Sequence, residues 1–425
     1  MKLLKSVSLP TSSTALKRVN VLFEDKIIKL FTDDLELEED VEIIDAKGLI
    51  MLPGGIDPHT HILAQNADSA TALANITKIA LEGGWTTLSE LSYHTQSPVF
   101  NNSALQKKIA LINANSYTAL ALWGHIDIND YPYHSEAAQE IWNKGVVGIA
   151  LAVPSPNPAI ADITFTEIMD LFFDIYESDT SFAFQGYDYE SYREFSPLAQ
   201  LDAIKKILRR MQENPIHIPR ISSYPTIEFI NTISKRSDIS FATCIADLMA
   251  LFNPEVFSTP FACDYTDFAD LLFDLLRSNK IYLLSNCVAP ETKKPDYCEL
   301  FQGCDPELMN YSYLWVLSEL WKKRKVPLAT CLKMTSENAA KRLGIYPQKG
   351  SLDPGSDADF VLYDPESTTI VKGNKGKDIE LSGSFKAVYL KGNQVAGKNF
   401  ETLHQGSFLP RSTNPKRRHN NSSWI

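Results

Sequence analysis

One short stretch near the N-terminus decides how the rest of the chain is interpreted, and it reads Pro53-Gly54-Gly55-Ile56-Asp57-Pro58-His59-Thr60-His61. Its two histidines stand two positions apart. Side chains alternate along a β-strand, so His59 and His61 project from the same face. Two imidazoles that share a face can bind one metal ion. Two polar histidines that end a strand without any metal fit the same pattern.

Strand-like and helical patterns alternate through the middle of the chain. The segments that favour strands are residues 56–61, 86–91, 118–125, 147–153, 182–187, 216–222, 239–245 and 281–286. Amphipathic helical patterns lie between them. Eight strands with helical connections predict an α/β fold of the (β/α)8 TIM-like barrel type, whose active sites lie at the C-terminal strand ends. A doubly wound open sheet is the competing prediction, and it is weaker because no GxGxxG follows the first strand.

Both ends of the chain contain short β-type runs separated by turn residues. They predict a small β-sandwich domain that is built from residues 1–52 together with residues 346–410. The barrel then occupies residues 53–345. Residues 411–425 read as a basic polar tail, which we interpret as a solvated terminus.

Composition excludes several classes of protein. The chain has 425 residues, of which 44% are hydrophobic and 22% charged, as in an ordinary folded protein. Its 41 Lys and Arg against 52 Asp and Glu leave a net charge of −11, which argues against a nucleic-acid partner. No apolar run is long enough for a membrane span or a signal peptide, and the six cysteines form no CxxC pair. We therefore expect a cytoplasmic protein with reduced thiols and no membrane partner.

Two distant motifs together resemble the cyclic amidohydrolases, the family of dihydroorotase, dihydropyrimidinase/hydantoinase and allantoinase. The first is the stretch at 53–61, with Asp45-Ala46-Lys47-Gly48 before it. The second is Thr335-Ser336-Glu337-Asn338-Ala339-Ala340-Lys341-Arg342-Leu343-Gly344, followed by Lys349-Gly350-Ser351-Leu352 and Gly355-Ser356-Asp357-Ala358-Asp359-Phe360-Val361. The resemblance spans nearly the whole chain and implies the same barrel and β-sandwich.

The resemblance also implies a metal-dependent hydrolysis of a cyclic amide. In the family, two divalent metals, usually zinc, activate a bridging water. A carboxylated Lys on the fourth strand bridges the metals, histidines on the fifth and sixth strands bind the second metal, and an Asp on the eighth strand acts as general base. At the matching positions, this chain has Ala150, Gln185, Arg220 and Asn286.

Each of these four residues is chemically unsuited to the family's role. The methyl group of Ala150 cannot bridge two cations, and no carboxylated lysine is expected there. Gln185 offers only a carbonyl oxygen, which suits zinc poorly beside an imidazole. Arg220 is permanently cationic and repels a metal. Asn286 cannot accept the proton that a general base must take.

The remaining candidate site residues follow from what is retained. His59 and His61 are the metal-site candidates, with Gln185 as a weak third ligand, so the cofactor is either one weakly bound zinc ion or none. His94, Arg220 and Asn286 are the candidates for substrate binding. No catalytic residue is assigned, although Asn286 stands at the general-base position.

Other polar residues near the strand ends have both a site and a structural interpretation. His125 and Asp127 end the third strand near the barrel mouth. His217 is interpreted as a hydrogen-bonded structural histidine, while Asp188 and Glu190 either reach the mouth or belong to a solvated loop. Dihydroorotases carry an HxHxR motif, in which the Arg pairs with the substrate carboxylate. Here Leu63 stands at that position, so dihydroorotate is disfavoured as a substrate.

Two functions from different classes remain open. The first is a dihydroorotase/hydantoinase-like protein that is non-catalytic or strongly impaired and acts through assembly or ligand binding. The second is an active metal-dependent cyclic amidohydrolase with a mononuclear site on His59 and His61. The resemblance implies a homo-oligomer, and a non-catalytic protein would also act through a hetero-partner.

Overall fold

The computed structural model describes most of the chain. The described residues are 1–11, 15–32, 40–63, 69–91, 93, 95, 97–127, 129, 134–155, 157, 160, 181–193, 196–209, 215–221, 223–233, 238–259, 265–289, 303–397 and 399–412. His94 and most of the predicted tail, residues 413–425, lie outside them.

The chain begins with five strands. They are β1 (Lys2–Pro10), β2 (Leu16–Phe23), β3 (Ile27–Phe31), β4 (Glu42–Asp45) and β5 (Ile50–Pro53). All three alternating residues Val19, Val21 and Phe23 of β2 are buried, which is the pattern of a strand with one face on a core.

A parallel β/α arrangement follows. Its strands are β6 (Gly55–Thr60), β7 (Trp85–Glu90), β8 (Ala119–Leu122), β9 (Ile149–Val153), β10 (Phe182–Gly186), β11 (Ile216–Ile221), β12 (Ile239–Cys244) and β13 (Leu283–Ser285). Its described helices are α1 (Ser69–Glu82), α2 (Asn102–Asn115), α3 (His134–Asn143), α4 (Tyr189–Tyr192), α5 (Pro197–Leu208), α6 (Tyr224–Ile233), α7 (Ile245–Phe252) and α8 (Ala269–Arg277). Each of the eight predicted strand segments overlaps one of these strands.

The last part of the chain returns to antiparallel β-structure. Helix α9 (Ser312–Trp315) continues as a π-helix over Val316–Lys323, and α10 (Leu328–Leu332) continues through a second π-helical segment, Lys333–Glu337, into α11 (Asn338–Arg342). The final strands are β14 (Phe360–Lys372), β15 (Asp378–Leu390), β16 (Asn393–Gly397) and β17 (Ser407–Phe408).

Strands from both ends of the chain form one sheet, which we call the β-domain. Its order is β16-β15-β14-β5-β1-β2-β3, with β4 paired to β1. The N-terminal β5 and the C-terminal β14 pair antiparallel, with Leu52 opposite Val361. Phe23, Phe360 and Tyr389 fill its core, and the last two rings stack with centroids 4.4 Å apart.

The eight parallel strands form a closed barrel. Strands β6 to β8 form one sheet and β9 to β13 another, and backbone hydrogen bonds join the two sheets at both of their edges. The Gly124 and Ala150 amides make bonds of 2.8 Å between the strands around β8 and β9, to Gly148 O and Gly124 O. His61 N donates to Val288 O at 2.8 Å, which joins β6 to the segment after β13. The predicted (β/α)8 barrel with a β-sandwich domain is confirmed.

The two glycines of the opening motif allow the chain to pass from the β-domain into the barrel. A Cβ atom at Gly54 would lie 2.1 Å from Thr86 Oγ1, and one at Gly55 would lie 2.7 Å from the Trp85 ring. Any side chain at these positions would collide with β7. The PGG sequence is thus required by the close approach of the crossing segment to the second barrel strand.

The C-terminal segment departs from the predicted domain boundaries. Strand β17 lies within residues 346–410, which were assigned to the β-domain, but it pairs parallel with barrel strand β8. At the start of the predicted tail, Arg411 N donates to Gly145 O at 2.8 Å and Ser412 N to Gly344 O at 3.0 Å. The burial of Leu409 agrees with the packing of residues 407–412 on the barrel. No helix within the described ranges has the length and apolarity to cross a membrane.

Candidate functional site

The two histidines of the opening motif contact each other directly. His59 Nε2 lies 2.8 Å from His61 Nε2, and the rings meet edge to face with centroids 4.6 Å apart. His59 Nδ1 lies 3.1 Å from Pro219 O, which can only accept, so Nδ1 donates its proton there and Nε2 accepts from His61. Two nitrogens on one tetrahedral zinc would lie about 3.3 Å apart, given Zn–N bonds of about 2.0–2.1 Å. The pair is arranged as a mutual hydrogen bond.

The buried histidines of the barrel are neutral at neutral pH. Burial lowers the pKa of His59 to about 3, and the nearby His217 and Arg220 lower it further. Burial likewise lowers the pKa of His125 to about 3, with Lys108 acting in the same direction. Burial and the charge of Arg342 lower the pKa of His217 to about 3. These imidazoles are therefore weak bases that hold a proton only in strong acid.

The position where the resemblance places a bridging Lys lies in an aromatic cluster. Ala150 is fully buried and belongs to the same apolar cluster as Tyr93 and Trp123. The Trp123 ring stacks on His217 with centroids 6.2 Å apart. A Cβ atom at Gly148 would lie 2.3 Å from the Trp123 ring, so a glycine there makes room for the indole. We call Tyr93, Trp123, Ala150 and His217 the aromatic plug.

Two further contacts fix the aromatic plug in place. The Tyr93 hydroxyl donates to Leu151 O at 3.0 Å, on the fourth strand itself. His217 Nδ1 lies 3.0 Å from Ser240 Oγ, within hydrogen-bond distance. The structural interpretation of His217, as a hydrogen-bonded core histidine, matches this contact.

Arg220 forms a buried ion pair close to the histidine pair. Its Nη2 lies 3.3 Å from Asp247 Oδ2, and both side chains are buried. Burial opposes the guanidinium charge, but Asp247 and Tyr187 beside it hold the Arg220 pKa above its usual value. The sixth strand therefore presents a fixed cation where the family has a metal ligand.

Asn286 belongs to a network around a buried carboxylate. Its backbone N and its Nδ2 donate to Asp57 Oδ2 at 2.9 and 2.8 Å. Ser285 Oγ and His59 N donate to the other oxygen, Oδ1, at 2.8 and 3.0 Å. Burial raises the pKa of Asp57 to about 6 in spite of these bonds. All four donors point at Asp57, so this carboxylate organises the end of the barrel.

The other predicted site residues have varied surroundings. Gln185 is buried, and its Oε1 has no hydrogen-bond partner within the described part of the chain. The same is true of both ring nitrogens of His125, whose ring lies 5.9 Å from that of Tyr93. His94 lies outside the described residues. Across those that are described, no three His, Cys, Asp or Glu side chains are grouped so that they could hold a metal ion.

The loop carboxylates and Leu63 serve the local structure. Asp188 begins α4 and binds Lys206 Nζ at 2.6 Å, while Glu190 is exposed. Asp127 accepts from Asn129. Leu63 is buried in the main hydrophobic core, so the position of the HxHxR arginine holds an uncharged core residue in this chain.

Several residues of the site were not found from the sequence. Trp123 and Tyr93 fill the barrel, Asp57 organises its end, and Asp247 pairs with Arg220. Asp57 and Trp123 each stand two positions before a candidate histidine, His59 and His125, and this spacing is the signal that could have found them. Asp247 comes from the helix after β12, and nothing in its sequence neighbourhood indicates the pairing.

Comparisons with known proteins give one consistent result. The family model described as Amidohydrolase family matches residues 296–395. An allantoinase of Rubrobacter xylanophilus is 24% identical over 371 residues, 78% of each chain, and an allantoinase of Escherichia coli (strain SE11) is 22% identical over 431 residues, 88% of each chain. The dihydropyrimidinase structure from Brevibacillus agri has a TM-score of 0.79 and 20% identity, and covers 97% of this chain and 99% of that one. The L-hydantoinase structure from Arthrobacter aurescens has a TM-score of 0.79 and 19% identity, and covers 96% and 99%.

The fold and the position of the site define a barrel of the hydantoinase type with a β-sandwich domain. The family-model match, the allantoinase relatives and the structural neighbours all support the cyclic amidohydrolase group that the sequence motifs indicated.

Proposed function

We propose that the chain is a non-catalytic or strongly impaired dihydroorotase/hydantoinase-like protein. The observation that carries this proposal is the 2.8 Å hydrogen bond between His59 Nε2 and His61 Nε2. This hydrogen bond occupies the two ring nitrogens that would have to bind a shared metal ion. The residues present therefore do not fit the zinc pair that the family implies, and no hydrolytic step is assigned to one.

The surroundings of Ala150 support the same proposal. A bridging carboxylate needs space and cations beside it, whereas this position is fully buried in an apolar cluster that includes Trp123 and Tyr93. The nearby cation is Arg220, which is already paired with Asp247. A buried guanidinium next to a metal would add like-charge repulsion to the cost of desolvation.

Asp57, His59 and His125 are each unsuited to act as the base for hydrolysis. A general base must hold a free lone pair and have a pKa near the working pH. Asp57 has a pKa near 6 but spends both oxygens on four hydrogen bonds. Burial holds the pKa of His59 and His125 near 3, too low to take a proton from water efficiently.

A protein with this barrel would act by assembly or by binding a ligand. We propose a homo-oligomer in the cytoplasm, with a hetero-partner as a further route to function. Exposed apolar side chains on the β-domain, such as Ile28 and Ile43 at 43% and 59% exposure, support an assembly role. Light scattering on the purified chain tests the homo-oligomer, and a monomer at all concentrations would contradict it.

A turnover assay tests the proposed function. The full chain is incubated with hydantoin, dihydrouracil and allantoin, with and without added zinc. We expect no ring opening above the rate of the buffer. Hydrolysis that is abolished in a His59→Ala, His61→Ala variant would establish the competing function, a mononuclear cyclic amidohydrolase.

A further inference from the structure

Three free thiols meet at the ends of the last two barrel strands. Cys244 ends β12, Cys287 follows β13, and Cys304 lies beyond it; all three are buried. The Cys244 and Cys304 sulfurs are 3.8 Å apart. Cys287 Sγ lies 3.5 Å from His59 Nδ1, so this thiol faces the histidine pair. The sulfur of Cys304 therefore has Cys244 as its neighbour across the barrel end.

The backbone holds Cys304 firmly in this position. Cys304 N donates to Cys287 O at 2.8 Å, and Ala289 N donates to Cys304 O at 3.1 Å. A Cβ atom at Gly303 would lie 2.4 Å from Ala289 N, so Gly303, the residue before Cys304, packs closely against Ala289. The short distance between Cys244 and Cys304 is thus a product of the fold and not of a free loop.

Cys304 also lines a cavity of about 560 Å³ between the barrel and the β-domain. Its other walls include Met249 of α7, Leu308, and Ile370 of β14. This volume lies within the range of small-molecule sites, about 300–1,000 Å³. Among the described lining residues, two carboxylates, Asp305 and Glu307, stand against one ammonium, that of Lys372. The cavity therefore favours neutral or cationic molecules.

Hydrogen bonds with its two thiol neighbours, together with the charge of Arg220, prepare Cys244 to act as a nucleophile. Burial alone raises the pKa of the Cys244 thiol. Hydrogen bonds with the Cys287 and Cys304 thiols and the charge of Arg220 outweigh burial and lower this pKa well below the ordinary thiol value. Thiolates, not thiols, carry out exchange with disulfides.

We propose that Cys244 and Cys304 form a reversible disulfide by exchange with a small neutral or cationic disulfide that enters this cavity. Cys304 passes its proton to the neighbouring Cys244 thiolate and attacks one sulfur of the incoming disulfide; the S–S bond breaks, and the first leaving thiolate takes the proton from Cys244. The Cys244 thiolate then attacks Cys304 Sγ and displaces the second thiolate. One protein thiol and one protein thiolate are oxidised to a disulfide, and the incoming disulfide is reduced to one thiol and one thiolate, which takes a proton from water.

The experiment exposes the folded full-length chain to cystamine, a cationic disulfide, quenches with acid and maps the peptides by mass spectrometry. We expect a Cys244–Cys304 link that dithiothreitol removes. Cys244→Ser should retain Cys304 as a mixed disulfide with cysteamine, because the second thiol is missing. Cys331→Ser, at a buried free thiol away from the cavity, should react like the wild type.

Charge reversal tests the route through the cavity. Glu307 is exposed, so Glu307→Lys leaves the core intact. It should slow the reaction with cystamine several-fold and speed the reaction with the anionic glutathione disulfide. Unmodified Cys304 in the folded wild type, a link to any cysteine other than Cys244, or rates that Glu307→Lys leaves unchanged would each overturn the proposal.

Discussion

At position 286, where the resemblance places an Asp, this chain has an Asn, whose side-chain amide can donate a hydrogen bond as a carboxylate cannot. Asn286 Nδ2 donates to Asp57 Oδ2 at 2.8 Å inside the protein. Exchange of the amide for a carboxylate would bring two buried anions into contact, with no metal-binding group of side chains among the described residues to separate them. The substitution at 286 is therefore matched to Asp57.

Asn286→Asp should destabilise the protein in a pH-dependent way. The two carboxylates would share a proton, so the folded-state pKa of the pair rises above that of the unfolded chain. The folded state then binds more protons, and stability falls as pH rises through that pKa. We expect a loss of about 3 kcal/mol near pH 7 that shrinks towards pH 5, measured by urea unfolding.

The matched control for this variant is Asn113→Asp. Asn113 Oδ1 also accepts a hydrogen bond, from Phe408 N, but its side chain is exposed. It should change stability by less than about 0.5 kcal/mol at either pH. An Asn286→Asp protein as stable as the wild type at neutral pH would show that the two side chains do not meet.

Ala150→Lys should also destabilise the protein and should not restore a metal site. The new ammonium would be buried against the aromatic plug, at a cost of about 3–5 kcal/mol. Ala15→Lys, at an exposed position, is the control and should be nearly neutral. Urea unfolding gives the comparison. A stable Ala150→Lys protein that binds zinc would contradict the packing described around residue 150.

Part of the site could be predicted from the sequence because the frame around each substitution is local. Ala150, Gln185, Arg220 and Asn286 each stand inside a short recognisable segment. The side chains that contact these residues and their neighbours in the barrel could not be predicted in this way. The indole of Trp123 reaches His217 from a different strand, and Asp247 reaches Arg220 from a helix, so both contacts depend on the closed barrel.

At the scale of elements, strand positions were predicted better than strand ends. The strand around residue 281 was expected over six residues, and β13 has three, Leu283–Ser285. After it, Cys287 has a φ of +51°, which takes the chain out of the strand. Apolar runs mark where a strand lies, but hydrogen bonds from Asn286 and Ser285 to Asp57 decide where it ends.

The β14–β15 hairpin joins the two domains through its tip. Asn374 Oδ1 accepts from Ser258 N at 2.8 Å, and Nδ2 donates to Ser258 O at 2.7 Å. Lys375 N adds a backbone bond of 3.1 Å to Val256 O. The tip thus binds the segment that follows α7 and forms one side of the cavity.

Asn374→Ala should release this tip. Loss of the two side-chain bonds is worth about 1 kcal/mol in this exposed position, so amide exchange at Ser258 and Lys375 should become several-fold faster. Lys377→Ala, at an exposed tip residue, is the control and should leave exchange unchanged. Equal exchange in all three proteins would mean that the side chain of Asn374 does not hold the hairpin.

At the scale of the whole molecule, the barrel and the β-domain are both complete, and the proposed change in chemistry is confined to the barrel. The crossing at Gly54 and Gly55 and the pairing of β5 with β14 join the two domains. The buried Lys349, 2.9 Å from Asp357 and also bonded to Asp359, holds the return crossing. These contacts involve no metal ligand, so the proposed loss of the metal site is compatible with an intact fold.

Metal content is the measurement that tests the central claim most directly. The full chain is incubated with excess zinc, dialysed and measured by inductively coupled plasma mass spectrometry, beside its His59→Ala, His61→Ala variant. The account predicts far less than one zinc per chain and no difference between the two proteins. One or two zinc ions per chain in the wild type, lost in the variant, would contradict it.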